Sequence, residues 1–178
     1  VQFAMLGSLY SKFFFNNEKP KVALLNIGEE STKGNDLVKS TYKKLDEYKD
    51  INFIGNIEGK DLLKGIVDVV VCDGFVGNIM LKTVEGAAFS IFSIMKEQIK
   101  KDWVAKFGAI LSFPVYAYIK KKLDHTEYGG ALLVGLNGIS VVSHGRSNAK
   151  AIKNAVKFAC KIAKSGFVKH TKEYYEEL

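Results

Sequence analysis

A short β-branched run that ends in a glycine-rich polar turn constrains the fold of this chain more than any other segment. Val69 to Cys72 contains only apolar residues, which is typical of a strand buried on both faces of a sheet. The turn Asp73-Gly-Phe-Val-Gly-Asn78 follows directly and leads into an apolar-periodic helix. Glycines at such a turn allow backbone amides to approach a ligand, and helix N-termini favour anions. The segment therefore predicts an α/β protein that binds phosphate or another small anion at this point.

Strand and helix patterns alternate on both sides of this segment. The predicted strands are Val22–Asn26, Ile51–Ile54 and the run ending at Cys72, and the predicted helices are Val1–Tyr10, Asp36–Tyr48, Lys60–Lys64, one from about Gly77, and Asn148–Lys164. Near the end of the chain, Leu132–Val142 predicts a β-hairpin in which Asn137-Gly138 supplies the positive φ angles of the turn. This order predicts a mainly parallel sheet with helices on both faces.

The composition narrows the compartment and the class of partner. The 178 residues, 47% of them hydrophobic, are enough to bury the core of one domain. Cys72 and Cys160 lack the clustered spacing of a disulfide framework, so a reducing cytoplasm is expected. The net charge of +7 favours acidic partners. Nucleic acid is the poorest of these, because the lysines are spread along several helical patterns, Arg146 is the single arginine and no nucleic-acid motif is present.

Five blocks of sequence together carry a resemblance to a known family. They are Leu24-Leu-Asn-Ile-Gly-Glu-Glu30, the turn from Asp73 to Asn78, Glu127-Tyr-Gly-Gly-Ala131, Gly135-Leu-Asn-Gly138 and Ser143-His-Gly145. In this order they cover nearly the whole chain and resemble the phosphate acyltransferases of bacterial phospholipid synthesis. The resemblance implies transfer of a fatty acyl group from acyl-[acyl carrier protein] to inorganic phosphate, with no metal or organic cofactor. It also implies that residues 1–178 are the C-terminal part of a single acyltransferase domain, because complete members of the family are nearly twice as long.

The fold implied by the resemblance is a three-layer α/β sandwich like that of the phosphotransacetylases and the isopropylmalate dehydrogenase group. We expect an amphipathic helical hairpin at residues 89–123, inserted before the C-terminal β-hairpin. This segment has more apolar residues than docking on a sheet requires. Its uncharged run Phe107–Ile119 has 13 residues with Pro114 inside, shorter than the ~20 residues that span a bilayer. Two helices joined by a bend near Ser112–Pro114, with an apolar tip and basic flanks, are therefore predicted.

A hairpin of this kind is suited to docking on an anionic membrane surface or on the acidic acyl carrier protein. The candidate docking residues are Trp103, Phe107, Leu111, Phe113, Lys120, Lys121 and Lys122. The alternative is that the same apolar residues pack in a homodimer interface, and both hold if the hairpin pairs at its base and exposes its tip. The expected protein is a cytoplasmic homodimer that associates peripherally with the membrane.

The candidate catalytic residues follow from the chemistry of phosphate, which is already a nucleophile at neutral pH. The enzyme mainly has to bind it, align it with the thioester carbonyl and stabilise the oxyanion. We predict Asn78, Lys33 and His144 as catalytic residues; their alternatives are a helix N-cap, an ordinary surface lysine and a structural histidine bonded to the backbone. The predicted substrate- or phosphate-binding residues are Asn26, Glu29, Asp73, Gly74, Gly77, Ser143 and Gly145. Asp73 alternatively shapes only a turn, and Glu29 is either a base, a group that orients a lysine, or a solvated acid.

Several other chemistries are disfavoured. The chain has no Walker-type phosphate loop, no dinucleotide fingerprint, no nucleophile elbow and no zinc-type ligand spacing. Cys72 lies in an apolar strand, which should raise the pKa of its thiol, so core packing is favoured over an acyl-cysteine. A phosphate acetyl- or butyryltransferase that uses acyl-coenzyme A is disfavoured by the basic amphipathic segment. A non-catalytic membrane or carrier-protein docking module is disfavoured by the phosphate-type turns at Asp73–Asn78 and Ser143–Gly145.

Overall fold

The computed structural model describes residues 1–123, 127 and 129–176, without the side chains of residues 120–123. The chain divides into two units. The first, here called the sheet unit, comprises Val1–Asp73, Leu132–Val142 and Lys157–Leu178. The second, here called the helical unit, comprises Gly74–Ala131 and Ser143–Val156.

A parallel three-stranded sheet forms the centre of the sheet unit. Its strands are β1 (Lys21–Asn26), β2 (Asn52–Glu58) and β3 (Val69–Val71), in the order β2-β1-β3. α2 (Asp36–Asp46) connects β1 to β2, and a 3₁₀ helix (Gly59–Lys64) precedes β3. The predicted α/β class and parallel sheet are therefore confirmed. The three strands lie where the sequence places them, because each is a short apolar run bounded by polar or glycine residues.

β2 is longer than predicted because a β-bulge lets it pass a glycine. Val22 pairs with Phe53, whereas Leu24 pairs with Asn56, so β2 has one extra residue between these pairs. Gly55 lies in this interval with a φ of +99°, a conformation that a side chain would oppose. The break in alternation at Ile54 therefore marks a bulge and not the end of the strand.

The core of the sheet unit lies between the sheet and α1 (Gln2–Phe15). Buried residues from α1, β1, α2 and β3, with the residue before β2, form one cluster: Ala4, Met5, Val22, Leu24, Leu45, Ile51 and Val71. Gly7 brings α1 close to β3, because a Cβ at this position would lie 2.6 Å from Val69 Cγ1. α1 continues beyond the predicted Tyr10, since Phe14 stacks on Tyr10 and packs edge-to-face on Phe158.

The predicted β-hairpin near the C-terminus forms, but its turn differs from the prediction. β4 (Ala131–Leu132) and β5 (Val141–Val142) pair in a two-stranded sheet, and the Leu133 amide donates to the Ser140 carbonyl at 2.8 Å. The prediction of positive φ angles at Asn137-Gly138 is wrong, because the residue with a positive φ in this connection is Gly135, at +82°. The connection is therefore a longer loop than a two-residue turn.

Two helices end the chain, of which one was predicted. α6 (Ala149–Ser165) begins where Asn148 Oδ1 accepts the Ala151 amide at 3.0 Å. α7 (Phe167–Glu176) was not predicted. Gly166, with a φ of +70°, ends α6 and turns the chain into α7, and Phe167 is then buried against Tyr10.

Three consecutive helices make up most of the helical unit. α3 spans Gly74–Lys101, α4 spans Trp103–Leu111 and α5 spans Phe113–Leu123. The break between α3 and α4 was not predicted; it occurs at Asp102, whose carboxylate accepts the Val104 and Ala105 amides. The break between α4 and α5 lies at Ser112.

α3 has no buried residue in this structure. Among the described residues it is the one helix whose length and apolar composition would allow it to cross a membrane. Core helices of soluble proteins meet the same criterion, so this finding assigns no membrane span.

Candidate active site

Polar residues follow or end the strands at the carboxyl edge of the parallel sheet. Asn26 ends β1 and pairs in register with Glu58, the last residue of β2. β1 and β3 pair as far as Leu24 opposite Val71, and Asp73 follows the end of β3 by two residues. Ligands of parallel α/β sheets bind at this edge. The register therefore brings Asn26, which was predicted, next to Glu58, which was not, and the predicted Asp73 follows the carboxyl end of the neighbouring strand.

Asn26 is almost fully buried and anchors the loop that follows β1. Its side chain is 9% exposed. Its Nδ2 donates to the Lys33 carbonyl at 3.0 Å, and its Oδ1 accepts the Ile27 amide at 2.8 Å. Residues 27–35 are here called the Lys33 loop. The buried Asn26 side chain thus connects the start of this loop, at Ile27, to Lys33 near its end.

Asn56 holds the Lys33 loop from the neighbouring strand. Its Nδ2 donates to the Glu30 carbonyl at 2.9 Å, and the same carbonyl accepts the Lys33 amide at 3.1 Å. The Oδ1 atom of Asn56 is buried and has no hydrogen-bond partner among the described residues. Sequence reasoning missed Asn56, because its contact with the loop depends on the bulged register of β2.

Two glycines allow the Lys33 loop to pack this tightly. Gly34 has a φ of +94°, and a Cβ there would lie 2.5 Å from Asn26 Oδ1. Gly28 is buried, and a Cβ there would lie 2.8 Å from Glu30 Oε2 and 3.1 Å from Lys33 Cγ. The Glu30 carboxylate and the aliphatic stem of Lys33 therefore converge over Gly28.

A second lysine, Lys60, lies at the same edge and was not predicted. Its Nζ is 2.8 Å from Glu58 Oε2. The hydrogen bond and charge of Glu58 raise the pKa of Lys60, and the charges of Asp61 and Glu29 raise it further. The contribution of Glu29 is the smallest of these, and no hydrogen bond or ion pair between Glu29 and Lys60 is among the contacts of the described residues. Since Lys60 is already compensated by carboxylates, Lys33 is the better candidate for binding phosphate.

In the helical unit, Asn78 lies one turn inside α3, because α3 begins at Gly74. The N-cap alternative for Asn78 is therefore wrong, and the residue directly before the helix is Asp73. Gly74 and Gly77 likewise belong to the first turn of the helix and not to a turn before it. A Cβ at Gly74 would meet nothing within 4 Å. Asn78 is exposed, and an exposed asparagine inside a helix is unfavourable relative to alanine, so folding alone does not account for it.

The segment Ser143–Gly145 follows β5 and leads towards α6. Ser143 Oγ donates to the Gly129 carbonyl at 2.8 Å. His144 Nδ1 accepts the Arg146 amide at 3.0 Å, so in the neutral imidazole the proton resides on Nε2. His144 thus has the hydrogen bond to the backbone that a structural role predicts. The same bond also sets the tautomer of the neutral ring. Gly145 has open space where a Cβ would lie.

The predicted docking residues that are described lie on α4 and at the start of α5, and their side chains are exposed. The exposed fractions are 79% for Trp103, 63% for Phe107, 70% for Leu111 and 68% for Phe113. The side chains of Lys120, Lys121 and Lys122 lie outside the described part of the structure.

Cys72 and the potential metal ligands bear on two other kinds of chemistry, acyl-cysteine formation and metal binding. Partial burial, with a smaller contribution from the charge of Asp73, raises the pKa of the Cys72 thiol, as its position at the end of an apolar strand predicts. Within residues 1–123, 127 and 129–176, no group of three or more His, Cys, Asp or Glu side chains could hold a metal ion.

These features define an α/β protein with an anchored, lysine-bearing loop at the carboxyl edge of a parallel sheet. The sequence model of the family described as "Fatty acid synthesis protein" matches residues 1–170, and the chain belongs to that family. It is 53% identical over 164 residues to a phosphate acyltransferase of Dictyoglomus thermophilum, which covers 92% of this chain and 48% of the relative. It is 49% identical over 175 residues to a phosphate acyltransferase of Fusobacterium nucleatum, which covers 98% of this chain and 53% of the relative.

A third relative, a phosphate acyltransferase of Thermodesulfovibrio yellowstonii, is 52% identical over 164 residues. The resemblance noted from the five sequence blocks is therefore confirmed. The chain spans about half the length of the curated relatives it matches.

Proposed function

We propose that this chain is part of an enzyme that transfers a fatty acyl group from acyl-[acyl carrier protein] to inorganic phosphate, forming acyl phosphate for phosphatidic acid synthesis. Relatives named phosphate acyltransferase share about half of its residues over more than nine-tenths of its length, which supports acyl transfer to phosphate. The structural observation that carries the proposal is the Lys33 loop, which is anchored by two asparagines at the edge where α/β sheets bind anions.

The reaction requires little covalent chemistry from the protein. An oxygen of phosphate attacks the thioester carbonyl carbon, a C–O bond forms, the C–S bond breaks, and the departing thiolate of the carrier takes a proton. The catalytic task is to bind phosphate, align it and stabilise the oxyanion on the thioester carbonyl. We assign phosphate binding to the Lys33 ammonium and hydrogen-bond donation to the Asn78 side chain.

His144 suits the role of a hydrogen-bond donor better than that of a general base. Its Nδ1 is occupied by the Arg146 amide, so the neutral ring presents N–H at Nε2 and not a lone pair. We propose that this N–H stabilises negative charge on phosphate or on the oxyanion. Glu29, Asp73, Gly74, Gly77, Ser143 and Gly145 remain proposed binding residues.

The proposal extends to the architecture of the whole enzyme. We place the chain in a three-layer α/β sandwich of the phosphotransacetylase and isopropylmalate dehydrogenase type, as part of a single acyltransferase domain. Residues 89–123 are proposed to be an inserted helical hairpin. The parallel sheet and the break at Ser112 support this assignment.

We further propose that the hairpin docks on an anionic membrane surface or on the acyl carrier protein, in a cytoplasmic homodimer. The support is the exposure of Trp103, Phe107, Leu111 and Phe113 beside a local excess of lysines. Apolar side chains this exposed in one segment also suit a subunit interface, so the dimer is the competing occupant of the same surface.

The docking proposal is tested by vesicle co-sedimentation with Phe107→Ser. A matched control is Phe3→Ser, since Phe3 is 61% exposed and lies on α1. Because burying a phenylalanine side chain is worth about 1.5–3 kcal/mol, we expect binding of phosphatidylglycerol vesicles by Phe107→Ser to be weaker by about tenfold or more. Charge reversal at Lys120, Lys121 and Lys122 should weaken the same binding or that of the carrier protein. Unchanged binding together with a loss of dimer would assign the surface to the subunit interface.

Two other functions compete with the acyl carrier protein reaction. A phosphate acetyl- or butyryltransferase would use acyl-coenzyme A, and the exposed apolar segment has no purpose in that reaction. A docking module would have no need for an anchored lysine loop at the sheet edge.

The function is tested by phosphate-dependent release of carrier thiol from palmitoyl-[acyl carrier protein] by the full-length native protein. Palmitoyl- and acetyl-coenzyme A serve as parallel donors. Release from the carrier substrate only in the presence of phosphate supports the proposal. Turnover of acetyl-coenzyme A alone supports the transacetylase, and no turnover with any donor supports the docking module.

A further inference from the structure

We infer that Asn26 and Asn56 are positioning residues that hold the Lys33 loop, and with it Lys33, in place at the carboxyl edge of the sheet. This inference rests on the proposed role of Lys33 in binding phosphate. It changes the predicted role of Asn26 from contact with substrate to support of a residue that contacts substrate.

The hydrogen bonds of the two asparagines define this role. Asn26 is on the central strand, and both polar atoms of its side chain bond to backbone groups of the Lys33 loop. Asn56 is on the adjacent strand and donates to the carbonyl of Glu30, three residues before the carbonyl that Asn26 holds. The loop is therefore held at two carbonyls by two different strands of the rigid sheet.

The absence of any Cβ at Gly34 is a second, independent observation. The loop approaches Asn26 so closely that an alanine at Gly34 could not be accommodated without displacing the amide. The backbone of the loop at Gly34 is therefore packed directly on the Asn26 side chain.

The unpartnered Oδ1 of Asn56 separates positioning from stability. A buried polar atom without a hydrogen bond destabilises a fold, so replacing Asn56 removes an unfavourable group together with a favourable bond. The two effects oppose each other in the free energy of unfolding. Only the bond to the loop affects the placement of Lys33, so the functional effect of the replacement should exceed its effect on stability.

Asn52 provides a matched control on the same strand. Its Nδ2 donates to the Lys19 carbonyl at 3.2 Å, so Asn52→Ala also removes one side-chain-to-backbone hydrogen bond, but at the opposite end of β2. The experiment compares Asn56→Ala with Asn52→Ala in the full-length native protein. The readouts are KM for inorganic phosphate, kcat, and hydrogen exchange of peptides covering residues 27–35.

We expect Asn56→Ala to raise KM for phosphate about fivefold, the factor expected from loss of one ordinary hydrogen bond. Amide exchange in residues 27–35 should accelerate, and Asn52→Ala should change neither quantity. An equal KM in the two variants, or unchanged exchange of the loop in Asn56→Ala, would overturn the inference. If wild-type protein shows no phosphate-dependent turnover, the proposed function fails, whereas the exchange measurement still decides whether Asn56 holds the loop.

Discussion

Replacing Gly34 by alanine should destabilise the sheet unit through two separate effects. The φ of +94° is unfavourable for any residue with a Cβ, at about 1–2 kcal/mol. The new Cβ would lie 2.5 Å from Asn26 Oδ1, so the amide must move and weaken its bonds to Ile27 and Lys33. Each of these bonds is worth about 1 kcal/mol. We therefore expect Gly34→Ala to lower the free energy of unfolding by about 2–4 kcal/mol.

Urea denaturation followed by circular dichroism measures this loss, and two controls isolate its causes. Gly65 has a φ of +68° and no atom within 4 Å of its Cβ position, so Gly65→Ala should show the backbone effect alone, about 1–2 kcal/mol. In an Asn26→Ala background, Gly34→Ala should also cost only the backbone effect, because the side chain with which the new Cβ collides is absent. The reasoning is refuted if Gly34→Ala costs no more than Gly65→Ala, or if its cost is the same with and without Asn26.

Two further predictions concern activity and alkaline stability. Asn78→Ala should reduce kcat by about 10²–10³ without loss of stability, because it removes a transition-state hydrogen-bond donor. Gln98→Ala on the same helix is the control, and full activity of Asn78→Ala would contradict the site assignment. Burial, and secondarily the hydrogen bond to Tyr48, raises the pKa of Tyr174. The stability that Tyr174 contributes is therefore fully present below the unfolded-state pKa of about 10, and it is lost as the pH rises from there towards the raised pKa of the folded state. Tyr174→Phe should flatten the fall in stability above pH 10 in urea titrations, and exposed Tyr118→Phe should not.

The order of strands and helices in the sheet unit could be predicted because each strand is a short apolar run between strong breakers. The extension of β2 could not, since the signal that ended the predicted strand, Gly55, is the residue that makes the bulge possible. α7 was missed for a related reason. Its sequence is polar, and the burial of Phe167 against Tyr10 depends on contact between the two ends of the sheet unit.

The start of α3 shows a limit of propensity. Two glycines within four residues are typical of a turn, so Gly74 and Gly77 predict a helix that begins later than it does. The helix forms in spite of them from Gly74 onward. This boundary changes the interpretation of Asn78. An asparagine that caps a helix stabilises it and needs no other function, whereas an exposed asparagine inside a helix is less favourable than alanine.

The difference between binding and positioning residues could not be predicted at all. Asn26, Lys33 and Glu29 are polar residues close together in the sequence, and each is therefore a candidate for the substrate site. The structure separates them by what their polar atoms already contact. Asn26 is buried and bonded to the loop, whereas Lys33 has its stem packed over Gly28 and both its backbone amide and its carbonyl in hydrogen bonds. A lysine held by its backbone keeps its ammonium group for a ligand, which is why a loop anchored through asparagine amides suits the binding of an anion.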